Sequence, residues 1–162
     1  MIFVTVGSAE PFDRLIRTVD DWAGARGRRD VFAQIGAATY VPANIDYLQF
    51  IAPAQFRQRM NEAELIVAHA GMGSIITALE AKKPILVMPR RQRLGETRSD
   101  HQVATVERFA QRGCIVGARD EEELVLKLDA SDALVGGQFG MPEVSATLIS
   151  VIRDFISRPA AI

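Results

Sequence analysis

Short apolar runs alternate with amphipathic stretches along this chain, and the period of the pattern changes with each one. Ile2 to Val6 is an apolar run that predicts a strand almost at the N-terminus. After a loop from Gly7 to Pro11, Phe12, Leu15, Ile16, Val19, Trp22 and Ala23 recur at helical spacing and predict a helix over 12–23. Val31 to Ile35 reads as a second strand, followed by a loop over 36–44. Ile45, Tyr47, Gln49 and Ile51 alternate with Asp46, Leu48 and Phe50, which predicts a third strand covered on both faces. Pro53 opens a helix, as proline does in a first turn. That helix turns Phe56 and Met60 inward and Arg57, Gln58 and Arg59 outward.

The stretch over 64–89 holds the densest signal. Leu65 to Ala68 reads as a buried strand, His69 to Ser74 as a glycine-punctuated turn, and Ile75 to Ala81 as a helix. Lys82-Lys83-Pro84 ends that helix, because the residue before a proline is pushed out of the helical region. Ile85 to Met88 is a further strand. A polar stretch over 90–97 follows. Ser99 or Asp100 is placed to cap a helix over 101–112 that stops at Gly113. Cys114 to Val116 reads as a sixth strand, and Asp120 caps a helix with Leu124, Leu126 and Leu128 as its apolar positions. The glycine-rich stretch over 129–141 reads as loop. Pro142 begins a last amphipathic helix carrying Val144, Leu148, Val151, Ile152, Phe155 and Ile156, for which packing on this domain is favoured over packing on a partner.

Strand and helix patterns in this alternation predict an α/β fold: a Rossmann-like, doubly wound parallel sheet with helices on both faces. Ligands of such sheets bind at the carboxyl ends of the strands, near the point where strand order reverses. Gly7-Ser8, Gly36-Ala37, His69 to Ser74 and Pro89 to Arg91 all fall at strand carboxyl ends, so four loops are expected to converge on one crevice. With 162 residues the chain is expected to be a single domain over 1–162. A net charge of −1 gives no global argument for nucleic acid. The lone Cys114 is expected in the core, and nothing resembles Cys-based zinc spacing, so no metal is expected. No run approaches the roughly 18 apolar residues of a membrane span, and a cytoplasmic location is expected.

The turn at His69 presents unpaired N–H groups at the start of a helix, where the dipole favours an anion. Two readings stay open from the turn alone: a phosphate over Gly71, Gly73 and Ser74, or glycines that merely permit a tight turn. A dinucleotide fingerprint after the first strand is missing, since that loop has only Gly7, and there is no Walker A lysine.

Four segments together resemble the glycosyltransferase family 28 C-terminal domain. They are Ile2-Phe3-Val4-Thr5-Val6-Gly7-Ser8, His69-Ala70-Gly71-Met72-Gly73-Ser74, Lys83-Pro84-Ile85-Leu86-Val87-Met88-Pro89 and Asp100-His101-Gln102. The likeness is to the stand-alone, Alg13-like members, including small subunits of bacterial exopolysaccharide transferases. It implies half of a GT-B enzyme with a UDP-sugar as donor substrate and no cofactor. It implies that Gly71, Gly73 and Ser74, with Met72 between them, hold the diphosphate. The backbone near Phe50 and Ile51 would meet the uracil, Gln102 with Asp100 would face the donor sugar, and Gly7 and Ser8 would line the cleft. One position departs from the family pattern. Many relatives carry a glutamate that grips the ribose where this chain has Thr77, and Glu80 lies three residues on along the same helix. Thr77 in a weaker ribose contact, Glu80 reaching across, and Glu80 as a plain exposed residue all stay open.

For His69, a hydrogen bond that shapes the turn is favoured over proton transfer, and His101 reads equally as a solvated residue. Arg90, Arg91 and Arg93 read either as a solvated loop or as an anion site that neutralises the leaving diphosphate or a uronic acid carboxylate. Inverting transfer also needs an acceptor site and a general base. The sequence offers neither clearly, and a two-domain enzyme needs roughly twice this length. The expected partner, which the resemblance also implies, is a membrane-anchored, Alg14-like subunit. It would bind a lipid-linked acceptor, supply the base and recruit this chain to the inner face of the membrane. Two rivals stay open: a stand-alone nucleotide-sugar epimerase or hydrolase, and a non-catalytic scaffolding subunit.

Overall fold

The computed structural model describes residues 1–131. The final helix expected from Pro142, and most of the loop expected before it, lie outside the described residues. Twelve elements follow one another: β1 (Ile2–Thr5), α1 (Asp13–Arg26), β2 (Val31–Gln34), β3 (Asp46–Leu48), α2 (Pro53–Glu62), β4 (Leu65–His69), α3 (Met72–Glu80), β5 (Ile85–Met88), a 3₁₀ turn (Gln92–Leu94), α4 (His101–Gln111), β6 (Val116–Gly117) and α5 (Glu121–Asp129). The strands form one parallel sheet in the order β3-β2-β1-β4-β5-β6. This is the doubly wound, Rossmann-like arrangement, with its switch point between β1 and β4.

Period-two alternation divides the core. Ile2, Val4 and Val6 of the first strand region, Leu65 and Val67 of β4, and Leu86 and Met88 of β5 face α1 and α5. Phe3, Ile66, Ala68, Ile85 and Val87 face α2, α3 and α4, packing on Met60, Ile75, Ala78, Leu79 and Val106. Strands buried on both faces cannot alternate with polar residues, which is why they read as continuous apolar runs. Cys114 lies in the second of these cores.

Several boundaries differ from the sequence expectation. The third strand is only Asp46–Leu48, and all three of its residues are exposed. It is the sheet edge, so the alternation over 45–51 does not report two covered faces. Helix α1 continues past Ala23 to Arg26 and ends at Gly27, a left-handed cap (φ 63°). Helix α3 starts at Met72 rather than Ile75. The sixth strand is shifted to Val116–Gly117. Leu126 is exposed, while Leu124 and Leu128 are buried. Asp120 caps α5 by accepting from the Glu123 N–H at 2.9 Å, as expected. Asp100 sits at the start of α4 but does not cap it; its Oδ1 accepts from the Gln92 N–H at 2.8 Å.

One buried carboxylate ties the long loop after β2 to α1. Asp20 is fully buried and accepts from the N–H groups of Ala43 (2.9 Å), Asn44 (2.7 Å) and Ile45 (3.1 Å) and from the Tyr40 hydroxyl (2.7 Å). Desolvation opposes its charge, but these donors outweigh it and hold the carboxyl below its ordinary 3.8. Beside it, the Tyr40 phenol is pushed up to about 12, chiefly by its hydrogen bond to Asp20. Asp20→Ala leaves four donors, one buried and three part-buried, without their acceptor and is expected to cost about 2–4 kcal/mol in a denaturant titration. Because the folded pKa lies below the unfolded one, the contribution of Asp20 is complete above the unfolded pKa and fades as pH falls through the acid range.

Candidate functional site

The loops after β1, β2, β4 and β5 meet at the carboxyl end of the sheet, and their meeting is defined by close contacts. Gly36 has φ +58°, and a Cβ there would stand 2.5 Å from the Gly7 carbonyl oxygen. Gly7 itself has φ +74°, and a Cβ on it would stand 2.9 Å from Cε1 of His69. A Cβ on Gly71 would stand 2.1 Å from Nε2 of His69. The imidazole therefore fills the space that two glycines leave, one from each side of the switch point. Gly71 (φ −84°) does not adopt a left-handed conformation, so the turn needs no glycine there for its path. It needs one because a histidine ring occupies the place of its side chain.

Gly73 differs. It lies in the first turn of α3, and a Cβ on it would meet no atom within 4 Å among the described residues. A helical glycine is costly relative to alanine, by about 1 kcal/mol. Neither the path of the backbone nor any neighbour explains it. The first hydrogen bond into the helix runs from the Ile75 N–H to the Gly71 carbonyl at 3.2 Å. The N–H groups of Met72, Gly73 and Ser74 precede it and point out of the helix end. The Ser74 side chain is buried.

Further along the same helix lies a cleft of about 440 Å³, lined by Gly7, Ser8, Gln34, Phe50, Ile51, Pro53, Phe56, Arg57, Thr77 and Glu80, with Gly71, Met72, Gly73 and Ser74 outside its lining. Its size is that of a small-molecule site. Gly7, Ser8, Ile51, Thr77 and Glu80 are thus brought together. Thr77 and Glu80 both border the cleft, and the Thr77 hydroxyl donates to the Gly73 carbonyl at 2.8 Å. Four lining residues, Gln34, Pro53, Phe56 and Arg57, lie outside the sequence-predicted site, and two of them are polar. Arg57 reads in sequence as a solvated helix position, and its place at the cleft depends on how α2 packs. Gln34 ends a strand that is otherwise apolar, and that lone polar side chain is a usable signal. Gln34 Oε1 accepts from the Thr5 hydroxyl at 2.7 Å, and its Nε2 donates to the carbonyls of Gly7 and Gln49, both at 3.0 Å. One amide thus fixes the floor of the cleft across β1, β2 and the exit of β3.

The second group of candidates gathers behind the Gly7 loop. Arg90 is 3% exposed. Its guanidinium donates to the carbonyls of Val6 (2.8 Å), Pro11 (3.3 Å) and Glu10, and lies over the Phe12 ring at 5.0 Å. The expectation that Arg90 neutralises a diphosphate is corrected by this geometry, since its donors hold the loop after β1. Arg91 turns its side chain to the Arg119 carbonyl, away from the glycine turn, and Arg93 is exposed. Gln102 is buried, and its Oε1 accepts from the Arg90 N–H at 3.1 Å. The exposed His101 ring pairs through Nδ1 with the Ser99 hydroxyl at 2.9 Å.

Burial drives the His69 pKa from 6.5 down to about 4, the positive charge of Arg90 adds to this, and the nearby Thr5 backbone opposes it. The buried His69 Nδ1 has no partner of good geometry among the described residues, and the ring is held by packing between the two glycines together with a hydrogen-bond contact to the Thr5 backbone. The folded ring stays neutral while the unfolded one takes up a proton below pH 6.5, so stability falls from pH 6.5 toward 4. In urea titrations across that window, His69→Gln is expected to flatten the slope. Gly71→Ala is expected to destabilise the fold by about 1–3 kcal/mol through overpacking against the ring.

The model of the glycosyltransferase family 28 C-terminal domain matches residues 1–133. The human protein described as UDP-N-acetylglucosamine transferase subunit ALG13 is 27% identical over 122 residues, which cover 69% of this chain and 10% of that protein. This chain therefore spans about a tenth of that relative's length. The NMR solution structure of ALG13 superposes with a TM-score of 0.59 at 20% identity, covering 94% of this chain and 96% of that one. The MurG crystal structure from Acinetobacter baumannii gives 0.61 at 17% identity, covering 94% of this chain and 49% of that one. These structural likenesses show a shared fold, that of one GT-B half, and agree with the match by sequence. The chain belongs to the glycosyltransferase family 28 C-terminal domain family.

Proposed function

We propose that this chain binds the donor of a two-component glycosyltransferase and holds the leaving nucleotide during transfer of a hexose (GlcNAc, Glc, Gal or GlcA) from a UDP-sugar to a lipid-linked saccharide. One observation carries the reading: the N–H groups of Met72, Gly73 and Ser74 point out of α3 at a glycine that no packing or conformational need explains, one helical turn before Thr77, which lines a nucleotide-sized cleft. A diphosphate over Gly73 accepts those N–H groups and gains from the helix dipole, while the missing side chain lets it approach. The nucleoside lies in the cleft, with uracil toward Phe50 and Ile51 and ribose toward Thr77 and Glu80. A named relative is a UDP-N-acetylglucosamine transferase subunit, which supports a UDP-sugar donor.

A transferase of this kind also needs a base and an acceptor site. His69 is a poor base, being part-buried, with a depressed pKa that keeps it neutral. The other half of the reaction therefore falls to an Alg14-like, membrane-anchored partner, which recruits this chain to the cytoplasmic face. No described helix is long and apolar enough to cross a membrane. The reading assigns no metal or cofactor a step.

Gly73→Ala tests the phosphate site. The helix accepts alanine there, so the melting temperature is expected to hold or rise, while UDP affinity measured by calorimetry falls about tenfold. Unchanged affinity rejects the site. The purified chain alone is expected to bind UDP weakly and to transfer no sugar. Robust transfer without a partner, followed by product chromatography, rejects the two-component reading in favour of a complete small enzyme. Absence of UDP heat with wild type favours a scaffold.

A further inference from the structure

Three successive backbone N–H groups follow β5, and each is accepted by a side chain from a short segment downstream. The Arg90 N–H meets Gln102 Oε1 at 3.1 Å, the Arg91 N–H meets Glu96 Oε2 at 2.8 Å, and the Gln92 N–H meets Asp100 Oδ1 at 2.8 Å. Backbone groups of a loop are ordinarily met by backbone or water. Here the segment over 96–102 folds back on the strand exit and closes it.

Glu96 stands apart from the other two acceptors because it is itself anchored. Its carboxylate takes a two-pronged contact from Arg14 of α1, Nε to Oε1 at 2.7 Å and Nη2 to Oε2 at 2.8 Å. Both side chains are 13% exposed. Arg14 Nη2 also donates to the Pro89 carbonyl at 2.9 Å, and its Nη1 to Glu121 Oε2 at 3.0 Å. Bidentate, charge-assisted pairs of this kind fix geometry as well as adding energy. Arg14 and Arg90 both lie over the Phe12 ring, at 5.3 Å and 5.0 Å. The pair thus fixes the backbone over 89–91 against the rigid start of α1.

Two consequences follow, one for Gln102 and one for the loop that lines the cleft. Gln102 must keep its oxygen on the Arg90 N–H, because only oxygen accepts, so its amide nitrogen is turned away from the strand as a donor. The Arg90 side chain, set by the same backbone, holds the Val6 and Glu10 carbonyls on either side of Gly7 and Ser8, which line the cleft.

We infer that Glu96, held by Arg14, is a positioning residue for the sugar end of the donor site: it sets the Arg90–Gln92 backbone from which Gln102 and Asp100 take their orientation. Glu96 touches no ligand in this role. The inference rests on the UDP-sugar reading above. It adds that affinity for the sugar and affinity for the nucleotide are supported by different parts of the chain. The nucleotide end depends on α3 and the cleft floor, and the sugar end on the Arg14–Glu96 pair.

The test compares UDP with UDP-GlcNAc, UDP-glucose, UDP-galactose and UDP-glucuronate by calorimetry, on wild type and on Glu96→Gln, with melting temperatures recorded. Glu96→Gln keeps the shape but replaces one accepting oxygen by a donor. Wild type is expected to bind at least one of the four sugars more tightly than UDP. Glu96→Gln is expected to hold UDP affinity within about twofold while losing about tenfold for that sugar nucleotide. Parallel loss of both affinities marks a merely structural residue and overturns the inference, as does no change in either. It is also overturned if wild type binds UDP but none of the four more tightly. Failure of wild type to bind UDP at all is seen before any variant is made and removes the underlying reading with it. If Glu96→Gln does not fold, amide hydrogen exchange on wild type decides. The Arg90, Arg91 and Gln92 amides are expected to exchange slowly without ligand, and more slowly with the UDP-sugar than with UDP. Fast exchange, or equal protection by both ligands, overturns the inference.

Discussion

The site depends on the burial of one guanidinium. Arg90 has left water almost entirely, and what makes that tolerable is a set of carbonyls from the loop after β1 and the face of Phe12. Desolvation lowers its pKa from the usual arginine value, with Glu10 and Glu96 pulling the other way. A charge buried so deeply is expensive unless its donors are used, so the loop that uses them is held in return. Gly7 then lies against His69, and His69 against Gly71. A cation at the exit of β5 thereby determines where the glycine turn after β4 can sit.

Much of this order is legible in the sequence, because apolar runs and helical periodicity report burial directly. The doubly wound sheet, the six strands and the turn at His69 all follow from it. The edge strand is the instructive exception. Tyr47 and Leu48 are apolar and alternate well, yet they are exposed, since periodicity says that two faces differ and not that either is covered. The start of α3 was misplaced for a related reason. Gly73 and Ser74 look like turn residues by composition, but they belong to the helix, and the glycine is there for space rather than for a bend.

The candidate site is legible where a contiguous motif proposes it and obscure where packing builds it. His69 to Ser74 and Asp100 to Gln102 are local signatures. The link between Arg14 and Glu96 spans 82 positions, and the Gln34 bridge joins three separate strand exits. No local spacing exposes either. Arg90 shows the converse error. An arginine beside a glycine turn suggests an anion, but its donors were already claimed by carbonyls that only the folded chain brings near.

Under the proposed reading, this changes where positive potential for a departing diphosphate can come from. Arg90 Nε and Nη2 and Arg91 Nη2 are committed to backbone carbonyls, and burial lowers the His69 pKa to about 4, which keeps the ring neutral at pH 7. A group with so low a pKa is also far from the match to ambient pH that general base catalysis favours. What remains at the turn is the helix itself, with three outward N–H groups and roughly half a unit of positive charge at its end, and Arg57 exposed at the rim of the cleft. Fixed dipoles of this kind stabilise a leaving group without supplying a proton or taking one. Under the proposed reading, the geometry of this chain suits holding a leaving nucleotide better than activating an acceptor hydroxyl. The proposed division of the reaction between two polypeptides rests on that imbalance.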